Sequence, residues 1–185
     1  MSEQRPPEAQ NSGELEHLMQ GYQRSETEAA ETLITQLSPP MFHFYLAQVR
    51  DRSLSEDLLQ EFWLRIHNAR HTYRLGEPLL PWMYAIARRV RIDHYRRSRS
   101  ERQHEIQSEY PPDRAAEDTR PADSGDLADL LRTIPATQRD VILLMKVSGL
   151  TLEEVAGATG SSVGAVKQKA HRGYENLRKL FGSRT

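Results

Sequence analysis

Residues 151–181, TLEEVAGATGSSVGAVKQKAHRGYENLRKLF, predict a short helix, a tight turn and a longer basic helix. Thr151 suits the N-cap of the first helix, and Glu154, three residues later, completes a capping box. Gly160 suits the positive-φ turn that follows, and either of the next two serines can cap the second helix. This is the pattern of a helix-turn-helix, a motif that places its second helix in the major groove of DNA.

The second helix of this motif has an apolar and a basic face. The apolar positions recur at helical spacing and predict the buried face: Val163, Val166, Ala170, Leu177 and Leu180. The opposite face carries Gly164, Ala165, Gln168, Lys169 and Arg172. A helical hairpin with a solvated basic face is the alternative. The caps, the turn glycine and the charge agree with one another, and they favour DNA binding.

Composition excludes several classes of protein. A chain of 185 residues holds one domain or two small ones. It has no cysteine, which excludes disulfides, thiolate metal sites and cysteine nucleophiles. No apolar run is long enough to span a bilayer, and the N-terminal sequence MSEQRPPEAQ lacks the pattern of a signal peptide. We therefore expect a cytoplasmic protein.

The formal net charge of −1 conceals a strong segregation of charge along the chain. Residues 82–102 carry a net charge of +5, residues 103–131 one of −6, and residues 163–185 one of +5. Two basic segments separated by an acidic one suggest two nucleic-acid contacts on one chain.

Helical periodicity throughout, with no convincing strand pattern, predicts an all-α protein of two small helical domains joined by a flexible acidic linker. The linker is indicated by its prolines, its charges and its few large apolar groups. The predicted boundaries are a disordered N-terminus at 1–12, a first domain at 13–98, the linker at 99–125 and a second domain at 126–182.

The first domain should contain four helices. The first covers about 13–37; Pro39–Pro40 stop it and start a second that ends near Val49. Ser53 and Glu56 form a capping box that opens the third, to about Arg70. After a loop, His71–Leu80, the fourth runs from Pro81 to about Ser98. In the second domain, helices are expected at 126–134, 136–148, 152–159 and 162–181.

The fourth helix combines a core stripe with aromatic and arginine residues. Its core positions are Trp82, Met83, Ile86 and Val90. A different face carries Tyr84, Arg88, Arg91 and Tyr95. Aromatic rings stack on exposed bases while guanidinium groups bind phosphates, so this face suits single-stranded nucleic acid. A solvated arginine face is the alternative, and the second DNA-binding element on the chain favours nucleic acid.

Two segments resemble a known family. SEDLLQEFWLRI (55–66) followed by PWMYAIARRVRIDHYRR (81–97) resembles region 2 of bacterial sigma factors of the sigma-70 family. IPATQRDVILLMKVSGLTLEEVAGATGSSVGAVKQKAHRGYENLRKLF (134–181) resembles their region 4. Nothing resembles region 1.1 or region 3, and this short form resembles the extracytoplasmic function (ECF) group, also called group 4.

The resemblance implies an alternative sigma factor, which is not an enzyme and needs no cofactor. Such a protein binds core RNA polymerase through the β′ clamp helices and the β flap, and directs initiation by reading the −10 and −35 promoter elements. An anti-sigma factor, often membrane-anchored, is a further implied partner. The linker would thread toward the active-site cleft of polymerase.

The resemblance also assigns sites to residues of this chain. Polymerase would be bound by Asp57, Gln60, Glu61 and Leu64. The −10 element would be read by His71, Tyr73 and Arg74 of the loop and by Tyr84, Arg88, Arg89, Arg91 and Tyr95 of the fourth helix. The −35 element would be read by Ser162, Gly164, Ala165, Gln168, Lys169 and Arg172, with Lys167 and His171 near the DNA backbone. The family often has an asparagine where Arg89 stands, which makes an asparagine-based contact doubtful here.

Other functions fit the sequence less well. A stand-alone helix-turn-helix regulator, with residues 1–100 as a sensing or dimerising domain, does not need an arginine-rich fourth helix. A sigma mimic that only titrates an anti-sigma factor does not need an intact basic recognition helix. His67 and His71 have the i, i+4 spacing of metal ligands but lack a clear third ligand, so no metal site is predicted. No catalytic motif or small-molecule substrate site is predicted either.

Overall fold

The computed structural model describes residues 7–107, 131 and 134–182. Every regular element in these residues is helical, which confirms the all-α prediction. The N-terminal domain consists of α1 (Pro7–Gln23), α2 (Thr27–Val49), α3 (Arg52–Ala69), a 3₁₀ turn (Arg70–Thr72) and α4 (Leu79–Gln107). The C-terminal domain contains α5 (Ala136–Lys146), α6 (Leu152–Thr159) and α7 (Val163–Gly182). Residues 108–130, which include most of the predicted linker and of the helix predicted at 126–134, lie outside the described part.

The N-terminal domain is built around a buried aromatic centre. Phe44, Tyr45 and Phe62 are fully buried where α2 meets α3, and Met83 and Val90 of α4 are buried against the same cluster. The Tyr45 hydroxyl donates a hydrogen bond to the Ala87 carbonyl at 3.1 Å. Burial raises the pKa of Tyr45, so the phenol stays neutral and fixes α2 against α4.

The predicted first helix is two helices, and the predicted break at the prolines is wrong. The chain turns at residues 24–26, where Ser25 has a φ of +66°, and both prolines lie inside α2. A proline within a helix leaves the carbonyl four residues earlier without its amide donor. Those carbonyls belong to Thr35 and Gln36, whose exposure lets water take the place of the missing donors. The predicted N-terminal disorder reached residue 12, whereas α1 begins at Pro7.

Two other predicted boundaries also differ. The N-cap of α3 is Asp51, whose side chain accepts a hydrogen bond from the Leu54 amide at 2.9 Å, and Ser53 lies inside the helix. The capping box predicted at Ser53 and Glu56 is therefore wrong, and Glu56 instead pairs with Arg52. The α4 helix continues to Gln107, nine residues beyond the predicted end, because its Arg, Glu and Gln residues favour helix and no Gly or Pro interrupts them.

The helix-turn-helix of the C-terminal domain is confirmed in its local detail. The Thr151 hydroxyl accepts a hydrogen bond from the Glu154 amide at 3.2 Å, and the Glu154 carboxylate accepts one from the Thr151 amide at 2.8 Å. Gly160 ends α6 with a φ of +61°. The Ser162 hydroxyl accepts a hydrogen bond from the Ala165 amide at 3.2 Å and so caps α7.

The predicted apolar face of α7 is also the buried one, where its side chains are described. Val166 and Ala170 are buried, and Val163 and Leu177 are half-buried against the domain core. The side chain of Leu180 lies outside the described part. The opposite face of α7 is therefore directed to solvent.

The two domains are in direct contact. The α4 helix packs along α6, and Ala47 of α2 packs against the cluster that Ile134 and Ile142 form in the C-terminal domain. One apolar cluster continues from Met83 of α4 to Val155 of α6.

Candidate nucleic-acid and polymerase interfaces

The N-terminal half of α7 presents an exposed, basic surface. Exposed or half-exposed here are Ser162, Gly164, Ala165, Lys167, Gln168, Lys169, His171 and Arg172. The Lys169 ammonium donates a hydrogen bond to the Ser161 hydroxyl at 3.0 Å, which holds it over the start of the helix. No acidic residue occurs in the first turn of α7. Capped amides and basic side chains at this end suit the phosphates and base edges of a duplex.

The orientation of α7 is set by contacts with α5. A Cβ atom on Gly173 would stand 2.7 Å from Cδ1 of Ile142, so the missing side chain lets the two helices approach closely. The Asn176 side-chain amide donates a hydrogen bond to the Gln138 side-chain oxygen at 3.0 Å. Both contacts lie in the C-terminal half of α7, and they leave its exposed N-terminal half free.

The three residues of the loop after α3 that were predicted to contact the −10 element differ in their exposure to solvent. His71 and Arg74 are exposed, as predicted for residues that contact nucleic acid. Tyr73 is buried; its hydroxyl donates to the Glu77 carbonyl and its ring lies 5.4 Å from the Trp82 ring. Burial raises the pKa of Tyr73 to about 12. In this conformation Tyr73 closes the loop and does not face solvent.

The same loop is tied to α1 by a residue that the sequence did not reveal. The Gln23 side-chain amide donates to the Arg70 carbonyl at 2.7 Å and to the Tyr73 carbonyl at 2.9 Å. The acceptors are backbone atoms 47 and 50 residues away, and no local pattern in the sequence predicts such a contact.

The predicted nucleic-acid face of α4 is only partly exposed. Arg89 and Tyr95 face solvent. Tyr84 is buried against Phe44, with their ring centroids 5.2 Å apart, so it does not share the exposed face that the helical spacing predicted. Periodicity missed this because the residues that cover Tyr84 come from α2 and from the C-terminal domain.

Arg88 and Arg91 are bound by an acidic residue of the other domain. Arg91 donates to both carboxylate oxygens of Asp140, at 2.8 and 3.0 Å, and Arg88 donates to one of them at 3.2 Å. The Asp140 side chain is only 3% exposed. Sequence reasoning missed Asp140, although a single acid beside the apolar run VILLM (141–145) was an available signal.

The residues predicted to bind polymerase lie on the outer face of α3. Asp57 and Gln60 are exposed, and Leu64 is 56% exposed, which is high for a large apolar side chain. Glu61 is half-buried and pairs with Arg65 at 2.9 Å.

A short ionic chain supports this face. Arg65 also donates to Asp93 of α4 at 2.7 Å, and that hydrogen bond holds the pKa of the Asp93 carboxyl below its usual range. Glu61 therefore belongs to a chain of ion pairs that connects α3 to α4.

His67, one of the two histidines considered as metal ligands, contacts another side chain instead. The His67 ring nitrogen Nδ1 is hydrogen-bonded to the Tyr22 hydroxyl at 3.0 Å. Across residues 7–107 and 134–182 no group of three or more acidic or histidine side chains could hold a metal ion. In the same part of the chain, no helix is long and apolar enough to cross a bilayer.

Family comparisons agree with this arrangement. Residues 33–101 match the model for Sigma-70 region 2, and residues 124–177 match the model for Sigma-70, region 4. The chain is 32% identical to the RNA polymerase sigma factor CarQ of Myxococcus xanthus, over 89% of this chain and 95% of CarQ. It belongs to the sigma-70 family. It is also 30% identical to the ECF sigma factor SigX of Bacillus subtilis, over 75% of this chain and 76% of SigX.

Solved structures show the same fold. CnrH in complex with the cytosolic domain of CnrY matches with a TM-score of 0.71 at 18% identity, over 93% of this chain and 99% of CnrH. The sigma factor RpoE of Bartonella quintana, in complex with the anti-sigma factor NepR, matches with a TM-score of 0.66 at 22% identity, over 84% of this chain and 98% of RpoE.

This chain is an ECF sigma factor that directs promoter-specific initiation by core RNA polymerase. The exposed N-terminal half of α7 belongs to region 4, and the surfaces of α3 and α4 belong to region 2. The alternative hypothesis of a stand-alone helix-turn-helix regulator is rejected, because it does not explain the match to region 2.

Proposed function

We propose that this sigma factor reads the −35 element with the exposed N-terminal half of α7. The observation that carries the proposal is a capped helix whose exposed N-terminal half is polar and basic and whose C-terminal half is fixed to α5. Lys169 and Arg172 are placed to contact base edges, and Lys167 to contact phosphates.

The −10 element is read by the loop after α3 and by α4. His71 and Arg74 of the loop, with Arg89 and Tyr95 of α4, are the exposed members of the predicted set. Tyr95 offers a ring on which an unstacked base can lie. Arg88 and Arg91 join this set when Asp140 leaves them.

Core polymerase docks on the outer face of α3. An exposed Leu64 surrounded by the polar Asp57 and Gln60 suits a reversible protein contact. Glu61 is kept in place by Arg65 and contributes its free carboxylate edge.

The protein acts in the cytoplasm, where polymerase and promoter DNA are found, and it acts by binding and not by catalysis. RpoE and CnrH were each solved with a protein partner, NepR and CnrY. By analogy, an anti-sigma factor holds this sigma factor inactive, and the exposed faces of both domains offer surface for it.

Run-off transcription tests the assignment of the −35 reader. Three reactions are compared on a pool of genomic promoter fragments. They contain core polymerase alone, core polymerase with the wild-type chain, and core polymerase with the Lys169→Ala variant. Specific transcripts should appear only with the wild-type chain, and Lys169→Ala should lose promoter selectivity because a base contact is worth about 1–3 kcal/mol.

The matched control is Lys179→Ala, which removes the same charge from the exposed far end of α7. It should keep the promoter preference, and both variants should bind core polymerase as the wild-type chain does. Unchanged promoter preference in Lys169→Ala would refute the −35 assignment.

A further inference from the structure

The contact between Asp140 and α4 has features of a switch. Asp140 belongs to α5 of the C-terminal domain, and its buried carboxylate takes three hydrogen bonds from Arg88 and Arg91 of the N-terminal domain. A carboxylate in such a site depends on its partners, since a buried charge without them is strongly unfavourable. The carboxylate therefore stays in place only while the two domains remain together.

The two arginines are also part of the surface proposed to bind the −10 strand. Each guanidinium that donates to Asp140 has fewer donors for a phosphate, and the C-terminal domain covers that side of α4. Arg88 and Arg91 side chains are 26% and 18% exposed, whereas Arg89 on the outer side of the helix is open to solvent.

In the closed arrangement, in which the two domains are in contact, the chain cannot bind the −10 and −35 elements at the same time. By their positions the −35 and −10 elements lie about 25 base pairs apart, which is about 85 Å along B-DNA at 3.4 Å per base pair. In the structure the two domains touch. Residues 108–130 join them, and a fully extended chain of that length would reach about 80 Å. Separation is therefore required for function. The extended segment alone falls slightly short of 85 Å, and the two domains, each with a radius of about 10 Å, supply the remaining distance.

A buried polar side chain without hydrogen-bond partners weakens the interface between the two domains. Gln48 lies at this interface, where its carbonyl accepts a hydrogen bond from the Arg139 guanidinium of α5 at 3.3 Å. Its side chain is buried, yet neither the side-chain nitrogen nor the side-chain oxygen has a hydrogen-bond partner. Buried polar groups left unsatisfied are rare in permanent cores because each costs free energy. Opening the domains would return Gln48 to water and would partly offset the loss of apolar contacts.

We propose that the ion pairs of Asp140 with Arg88 and Arg91 form an intramolecular latch, and that the free sigma factor is autoinhibited by its own C-terminal domain. The latch withholds the −10 surface while the −35 face of α7 stays exposed. This inference rests on the proposed −10 role of α4, and it adds a resting state in which that role is blocked without any second protein.

The test begins with the distance between domains. Gln36 and Val147 line one cavity of about 450 Å³ between the domains, and the chain has no cysteine of its own. Gln36→Cys and Val147→Cys therefore allow two spin labels to be placed specifically. Asp140→Asn should lengthen and broaden the distance distribution relative to the wild-type sequence. Glu31→Gln, which removes an exposed charge from α2, should not.

Binding is measured next, with a single-stranded oligonucleotide carrying the non-template −10 sequence of a promoter that the wild-type chain transcribes. Asp140→Asn should bind it about tenfold more tightly than the wild-type chain, because the binding-competent fraction rises. The double-cysteine chain, with its two domains crosslinked by a cleavable bismaleimide, should bind the oligonucleotide weakly and fail to initiate transcription. Cleavage of the crosslinker should restore both activities. This second experiment does not depend on the folding of Asp140→Asn.

Unchanged distances and unchanged oligonucleotide affinity in a folded Asp140→Asn variant would overturn the latch. So would full activity of the crosslinked chain. A wild-type chain that yields no promoter-specific transcript with core polymerase would instead refute the proposed function, and the spin-label distances would still decide whether the latch exists.

Discussion

At the residue scale, one side chain supports the loop proposed to read the −10 element. Gln23 donates both amide hydrogens to carbonyls of the turn after α3, and Tyr73 closes the loop from within. The exposed His71 and Arg74 are carried by this turn. Gln23 is therefore a positioning residue, which acts on DNA only through the backbone that it holds.

Gln23→Ala should impair promoter use without impairing polymerase binding. Loss of two hydrogen bonds to the loop costs about 1–2 kcal/mol locally, and a loosened loop should reduce run-off transcription severalfold. Gln23→Glu keeps the size but lacks the donors, so it should behave in the same way. The control is Thr35→Ala at an exposed position of α2. Equal transcription from the Gln23 variants and the control would show that the loop is held by other contacts.

The residues that were predictable are those whose partners lie close in sequence. Thr151, Glu154 and Gly160 form a cap and a turn within ten residues, and their geometry follows from local chemistry. Tyr84 and Asp140 owe their positions to partners from distant segments. Periodicity marks Tyr84 as lying on a second face of its helix, but it cannot show that another domain covers that face.

At the scale of elements, the corner between α1 and α2 depends on a close approach. A Cβ atom on Gly21 would lie 2.6 Å from the Cβ of Ala29 and 2.7 Å from the Glu26 carboxylate. Ser25 turns the chain with a positive φ. The prolines predicted a break at the wrong position. The helix continues through them because water can bind the carbonyls of Thr35 and Gln36, which lose their amide donors. The true corner is marked in the sequence only by a small residue, Gly21.

Gly21→Ala should destabilise the N-terminal domain by about 1–3 kcal/mol, because the added methyl group meets a Cβ that cannot rotate away. Gly13→Ala is the matched control in the same helix, since its Cβ would meet nothing within 4 Å. That variant should be more stable by about 0.5–1 kcal/mol, as expected for removal of a helical glycine. Urea unfolding followed by circular dichroism measures both, and equal effects of the two substitutions would contradict the close approach.

At the scale of the whole molecule, the two domains are coupled by an apolar cluster and by one buried ionic contact. The apolar contacts are non-directional, and Gln48 weakens them with its unsatisfied side chain. Two neighbouring residues of α5 supply directional contacts. Asp140 positions α5 against two successive turns of α4, and the Arg139 guanidinium donates a hydrogen bond to the Gln48 carbonyl of α2 at 3.3 Å. We therefore expect one substitution at Asp140 to weaken the coupling between the domains, although the apolar cluster remains.

Thermal unfolding should reveal this coupling. The wild-type chain should unfold in one calorimetric transition, because the C-terminal domain is stabilised by its contact with α4. Asp140→Asn should lose about 3 kcal/mol of this stabilisation, and an earlier transition for the C-terminal domain should then separate from that of the N-terminal domain. Glu31→Gln should keep the single transition. If Asp140→Asn also unfolded in one transition at the wild-type temperature, the ionic contact would contribute nothing to holding the domains together, and apolar packing alone would account for the closed form.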